Sequence, residues 1–215
     1  MIISRGRSYI FVHIPKTGGT SLALALEGRA MKDDIMLGDT PKAAKRRRRL
    51  KDAKTSGRLW KHSGLGDIDG LVTPQEIAQM FTFTLVRNPW DRVVSYYHWL
   101  KDQSFDHAAV QLAKAVPFDG FLRDPGTQAS LRGWPAARYM KDVTGTEQCN
   151  CYIRLEHFEQ DATPLFEHLG FVLELPRENR SDRTESYPSY YTEPLREIVA
   201  DCCAEDIARF GYTFS

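Results

Sequence analysis

The feature that most constrains the fold is a near-continuous apolar run, Tyr9-Ile-Phe-Val-His-Ile14, interrupted by Pro15-Lys16-Thr17-Gly18-Gly19-Thr20-Ser21 and resumed as Leu22-Ala-Leu-Ala-Leu26. The first run is rich in β-branched and aromatic residues and has no polar side, which predicts a strand buried on both faces. The last run consists of helix formers behind hydroxyl residues that suit a helix N-terminus. A strand buried on both sides and followed by a helix needs layers above and below it, so the chain is read as α/β.

The same logic recurs. Phe81 to Val86 predicts a second strand, and Asn88-Pro89 opens a helix through Lys101 in which Trp90, Val93, Val94, Tyr97 and Leu100 form an apolar stripe expected to face a sheet. Residues 106–140 read as helices broken at Val116-Pro117, Asp124-Pro125-Gly126 and Gly133-Trp134-Pro135. Tyr152 to Leu155 predicts a further strand, followed by a helix ending at Gly170, and Thr192 predicts the cap of one last helix running to Phe210 before Gly211. The expected architecture is a P-loop-like three-layer α/β fold with a mainly parallel central sheet flanked by helices. No internal repeat or low-complexity linker divides the 215 residues, so one domain over 1–215 is expected.

Composition narrows the class. Hydrophobic residues at 42% and charged residues at 27% argue against a disordered, collagen-like or disulfide-stapled chain. No apolar run approaches the roughly 20 residues of a membrane span. The first residues lack the apolar stretch of a signal peptide, so a cytoplasmic protein is expected, with peripheral membrane association as a variant. Cys149, Cys151, Cys202 and Cys203 have spacings that suit neither zinc nor a disulfide framework, and are read as reduced, small buried hydrophobes. The net charge of +1 hides an asymmetry, because Lys42 to Lys61 holds ten Lys/Arg and one acid. Its run Lys45 to Arg49 is a nucleic-acid patch, a nuclear address or a contact for an acidic polymer, or else a solvated helix face or mobile loop.

The chemistry concentrates in two loops. In Pro15 to Ser21 two glycines let the backbone approach a ligand, the following helix supplies partial positive charge, and Lys16 adds a full one, so an anion site is expected. Lys16 precedes the glycines and no Lys-Ser/Thr pair follows them, unlike G-x-x-x-x-G-K-[ST], and no acid for magnesium is evident. The site is therefore read as metal-free. The second loop places Arg87 directly after a strand and Ser95 eight residues later, where a guanidinium and a hydroxyl suit one phosphate. The plainer alternative pairs Arg87 with a carboxylate. Asn88 is expected to shape the turn, and Asp91 and Arg92 to pair with each other or with the loop.

Together, HIPKTGGTSL and TLVRNPWDRVVSYYHWL resemble the sulfotransferases that use 3'-phosphoadenosine 5'-phosphosulfate, PAPS, and look most like the carbohydrate branch with its 2-O-sulfotransferases and short bacterial homologues. The likeness extends more loosely to Lys61-His62-Ser63, Ile153-Arg154-Leu155-Glu156, Asn179-Arg180-Ser181 and the stretch from Glu205 to Tyr212. It implies that Pro15, Lys16, Thr17, Gly18, Gly19, Thr20 and Ser21 hold the phosphosulfate, with Lys16 stabilising the leaving oxygen. It also implies that Arg87 and Ser95 hold the 3'-phosphate, and that the segment containing Ser181 and Arg183 contacts the nucleotide. His62, after a strand-like Leu-Trp-Lys run, is the expected general base, since imidazole titrates near neutrality. His13, His98, His107, His157 and His168 are read as structural. The acceptor implied is a hydroxyl compound such as an acidic glycan or glycolipid, with no nucleic acid. Two other readings stay open: a P-loop phosphotransferase dependent on magnesium, and a non-catalytic polyanion binder using the basic segment.

Overall fold

The computed structural model describes residues 1–176 and 186–215. Along the chain these run β1 (Ile2–Ser4), β2 (Tyr9–Val12), α1 (Gly19–Gly28), β3 (Ile35–Met36), α2 (Pro41–Arg46), α3 (Pro74–Ala78), β4 (Phe81–Val86) and α4 (Pro89–Lys101). They continue through α5 (Ala108–Ala115), α6 (Phe118–Arg123), α7 (Pro125–Arg132), α8 (Ala136–Tyr139), β5 (Cys151–Arg154), α9 (Phe158–Asp161), α10 (Thr163–Leu169), α11 (Glu193–Cys202) and α12 (Ala204–Phe210). They form two compact units, Met1–Val86 with Ala136–Asn179, and Arg87–Pro135 with Arg180–Ser215.

The first unit is built on a sheet of order β3-β1-β2-β4-β5. β2, β4 and β5 are parallel, while β1 is antiparallel to both β2 and β3, so β1 alone runs against the rest. The continuous apolarity of β2 is explained by burial on both sides. Phe11 packs with Phe83, Leu22, Leu26, Leu165 and Leu169 beneath α1 and α10. Ile10 and Val12 face Leu65, Ile68 and Ile77 on the opposite side. Alternation in β4 puts Phe83 and Leu85 on the first face and Thr84 on the second, where its hydroxyl donates to the Val12 carbonyl at 2.8 Å and ties the two parallel strands together. Because β2 and β4 are parallel neighbours, their carboxyl ends lie at the same edge of the sheet, the edge at which such folds bind ligands.

The second unit is helical. Trp90, Val93, Val94, Tyr97 and Leu100 of α4 are buried as the stripe predicts, but against Val110, Phe118, Phe121, Leu195 and Val199 of α5, α6 and α11 rather than a sheet. Amphipathic periodicity states that a face is covered and not by what. The helix breaks expected between 106 and 140 are all present. The single last helix expected to Phe210 is instead two, α11 and α12, separated at Cys203, which lies outside the helical region at φ −114, ψ 21.

Further differences are local. The strand expected through Ile14 ends at Val12, β1 and β3 were too short to register as periodic runs, and the basic segment contains α2 and a 3-10 turn, Arg47–Leu50. There Arg46 donates to the Asp34 carbonyl at 3.0 Å and Arg49 to that of Lys32 at 2.7 Å, so part of this charge anchors the segment that leads into β3. The four cysteines are free thiols, and burial pushes Cys149 and Cys203 up to about 12 and Cys151 to about 11. Neutral thiols of this kind are poor nucleophiles and poor metal ligands.

Candidate active site

In the first unit the turn after β2 is held by its own backbone requirements. Lys16 has φ 65, a left-handed conformation that costs a non-glycine residue roughly 1–2 kcal/mol, and Gly18 has φ 85. The buried Thr17 hydroxyl donates to the Ile14 carbonyl at 2.9 Å and closes the turn. Gly18 is the N-cap of α1, and the Ser21 amide bonds back to its carbonyl at 3.1 Å. The first-turn amides of Gly19 and Thr20 precede the first intrahelical bonds, where helical dipoles leave about half a positive charge. Thr20 is partly exposed and Ser21 is buried.

Gly18 is required by its left-handed backbone and Gly19 by space. A Cβ on Gly18 would stand 2.8 Å from Leu155 Cδ1, and one on Gly19 would stand 2.1 Å from His13 Cδ2. Gly19→Ala is therefore expected to destabilise the fold by about 1–3 kcal/mol and to weaken anion binding, because the ring and the turn cannot both keep their places. Gly28→Ala, at the far end of the same helix with nothing within 4 Å of the added carbon, should leave anion binding unchanged and stabilise by up to about 1 kcal/mol. Denaturant melts and titration with 3'-phosphoadenosine 5'-phosphate (PAP) check the pair.

His13, set aside in the sequence as structural, organises this unit's site. It is 6% exposed, and burial holds its ring neutral, well below the ordinary histidine value. Its ring abuts Gly19, and its carbonyl lies 2.7 Å from His62 Nδ1. A carbonyl only accepts, so Nδ1 carries the proton and the lone pair of His62 is at Nε2. Burial lowers His62 to about 4, so the imidazole is unprotonated at neutral pH. The two rings lie 4.6 Å apart at 72°. The strand-like run expected before His62 is in fact a bend and turn. Fully buried Ser63 shapes it, its hydroxyl accepting from the Trp60 amide at 2.9 Å and donating to the Arg58 carbonyl at 2.8 Å. Beside it, Lys61 pairs with Asp39 at 3.0 Å.

In the second unit Arg87 directly follows β4 and its Nε donates to Asp91 Oδ2 at 2.8 Å, with Nη2 at 2.7 Å from the same oxygen. The plainer sequence alternative, a carboxylate partner, is thus realised, and it also fixes the guanidinium. Asp91 and buried Ser95 are four residues apart and share one face of α4, so the ion pair holds Arg87 on the Ser95 side of the helix. Asn88 caps α4 through the Trp90 amide at 3.1 Å and donates to the Thr213 carbonyl at 3.0 Å. Arg92 faces Asp206 at 3.9 Å. Ser181 and Arg183, and the Asn179-Arg180-Ser181 stretch, lie outside the described residues.

Three of the four remaining histidines have visible structural tasks. His98 bonds the Tyr190 hydroxyl at 2.9 Å, His107 caps α5, and His168 stacks on Phe81 with a contact to the Arg7 carbonyl at 2.9 Å. Among the described residues no group of three or more His, Cys, Asp or Glu is arranged to hold a metal ion, and no helix is long and apolar enough to cross a membrane.

The first unit thus sets a lysine turn on a helix N-terminus beside a neutral histidine, on the mainly parallel sheet of an α/β fold. The model of the sulfotransferase family matches residues 1–213, and the chain belongs to that family. Among solved structures it is similar to mouse sulfotransferase SULT7A1 complexed with PAP, at 15% identity and TM-score 0.54, covering 95% of this chain and 86% of that one, a likeness of fold. A sulfotransferase from Alicyclobacillus acidocaldarius matches at 19% identity and TM-score 0.38, covering 96% and 94%. No curated protein matches by sequence.

Proposed function

We propose that this protein transfers a sulfuryl group from PAPS to the hydroxyl of a carbohydrate acceptor. The observation that carries the reading is the continuous link within the first unit from the Lys16 turn through Gly19 and His13 to an unprotonated His62 Nε2. The turn is kept free of side chains at Gly18, whose φ is 85, and at Gly19, where a Cβ has no room beside the His13 ring, and so offers backbone amides to an anion. PAPS supplies an activated sulfuryl group, whose transfer forms an acceptor oxygen–sulfur bond and breaks the sulfur–oxygen bond to the phosphate.

The residues divide the work. Lys16 places its ammonium where the departing oxygen gains charge, and preorganised charge counts most there. The amides of Gly19 and Thr20 and the hydroxyls of Thr20 and Ser21 hold the 5' group, while the Thr17 hydroxyl, expected from the sequence to join them, is committed to the Ile14 carbonyl and closes the turn instead. Arg87, steadied by Asp91, grips the 3'-phosphate with Ser95. His62 takes the acceptor proton at Nε2 while Nδ1 stays bonded to His13. An acidic glycan suits the charge of the segment from Lys42 to Lys61.

The test is a thermal-shift comparison. PAP should raise the unfolding midpoint by several degrees at concentrations well above its Kd, and AMP, lacking the 3'-phosphate, by much less. Stabilisation by ATP or GTP with magnesium and none by PAP would overturn the reading in favour of a phosphotransferase.

A further inference from the structure

Trp60 is 44% exposed, unusual for the largest side chain, which is mostly well buried. Its exposure is not a loose end of the fold, since the turn carrying it is fastened on both sides. Ser63 binds the Trp60 amide at 2.9 Å. The Gly57 amide donates to the Asp67 carbonyl at 3.1 Å, and the Gly64 amide to Asp67 Oδ2 at 2.8 Å. A Cβ on Gly57 would stand 2.1 Å from Asp67 Oδ1, so the start of the turn is close-packed as well. A rigid turn therefore presents an indole to solvent.

What it stands beside gives it a task. The indole centroid is 5.0 Å from that of His62, with the rings at 87°. The Arg58 guanidinium lies over the indole, 5.7 Å from its centroid. We propose that Trp60 and Arg58 form the acceptor subsite, taking a pyranose ring that bears a carboxylate or sulfate. The inference rests on the sulfotransferase reading and on His62 as the base.

The geometry supports this occupant. A hydroxyl that gives its proton to His62 Nε2 must come within about 3 Å of it, and the rest of the acceptor then lies within one ring's breadth, where Trp60 stands. The indole face opposite Arg58 would match the C–H face of a sugar and leave the sugar's hydroxyls at its rim, within reach of the imidazole. Arg58 offers a planar donor fork to an anionic substituent. The nearby carboxylate of Asp39 is engaged by Lys61 and Arg47 at 3.0 and 3.3 Å, so it does not reverse the sign of the surroundings.

The experiment compares the native protein with Trp60→Ala, Trp60→Phe and Arg58→Gln. The acceptor probes are a uronic-acid oligosaccharide, a neutral gluco-oligosaccharide and a tyrosyl peptide. Trp60→Ala is expected to raise KM for the uronic-acid oligosaccharide about tenfold or more, with kcat changed less than about threefold and PAP affinity unchanged. Trp60→Phe should restore most of the loss, and Arg58→Gln should raise KM for the acidic but not the neutral oligosaccharide. Equal denaturation midpoints check that the variants fold. Unchanged KM in Trp60→Ala, a loss confined to kcat or to PAP affinity, or a PAP-binding protein that prefers the tyrosyl peptide or turns over neither oligosaccharide would overturn the subsite. Failure of PAP to bind the native protein would instead overturn the sulfotransferase reading, and the subsite with it.

Discussion

Replacing His62 by alanine is expected to lower kcat by about 10²- to 10⁴-fold, the usual contribution of a positioned general base. PAP affinity should be nearly unchanged, because the side chain is assigned to the acceptor proton and not to the nucleotide. The hydrogen bond to the His13 carbonyl leaves only Nε2 to accept, and burial keeps that nitrogen unprotonated. In the native protein the acid limb of kcat/KM assigned to this group should fall near pH 4 rather than at the ordinary value of 6.5. The sign for stability follows from the same shift. The folded value lies below the unfolded one, so the contribution is complete above pH 6.5 and is lost as pH falls toward about 4. Acid melts of the alanine variant should therefore be shallower over that window. Equal loss of PAP binding and turnover, measured by calorimetry and steady-state kinetics, would remove His62 from the base role.

Lys16→Ala is expected to reduce turnover by about 10²- to 10³-fold, the scale seen when one group that stabilises developing charge is removed. The substitution isolates the ammonium. Alanine and lysine suffer alike at φ 65, so the backbone strain is the same in both proteins. Lys16→Gly should show the same loss of turnover in a protein about 1 kcal/mol more stable. Arg87→Ala should weaken PAP by roughly 10²-fold while leaving AMP little affected, because only PAP carries the 3'-phosphate. Turnover within a few-fold of native in Lys16→Ala, or parallel losses for PAP and AMP in Arg87→Ala, would contradict the roles assigned.

The basic segment is a case in which charge counting alone misleads. Ten Lys/Arg between Lys42 and Lys61 suggested one polyanion contact or one solvated face. The structure divides them, with Arg46 and Arg49 anchored on backbone carbonyls, Arg47 and Lys61 on Asp39, and Arg58 over Trp60. Removing Arg46 to Arg49 together would disturb the segment leading into β3 as well as any acceptor. Arg58 is therefore the more selective position to change.

Local patterns made much of the architecture legible. β2, β4, β5, α1 and α4 stand where apolar runs, glycine turns and Asn88-Pro89 place them, because propensity, capping and proline act within a few residues of their cause. The Pro15 to Ser21 turn and Arg87 were visible for the same reason. The antiparallel β1 and β3 were not, since strands of three and two residues carry no measurable period and are defined by their partners. Nor was the partner of α4, which periodicity does not name.

The amino-acid sequence by itself determined which segments become strands, turns and helices, and it put a lysine and two glycines on the first turn. Only the tertiary structure decided that His13 joins that turn to His62, 49 residues away, and that burial leaves both rings neutral. It likewise decided that Asp91 belongs to Arg87 and that Trp60 stands beside the base. The physical reason is range: backbone preferences are local, whereas desolvation, tautomer and ring contact depend on residues that only folding brings together.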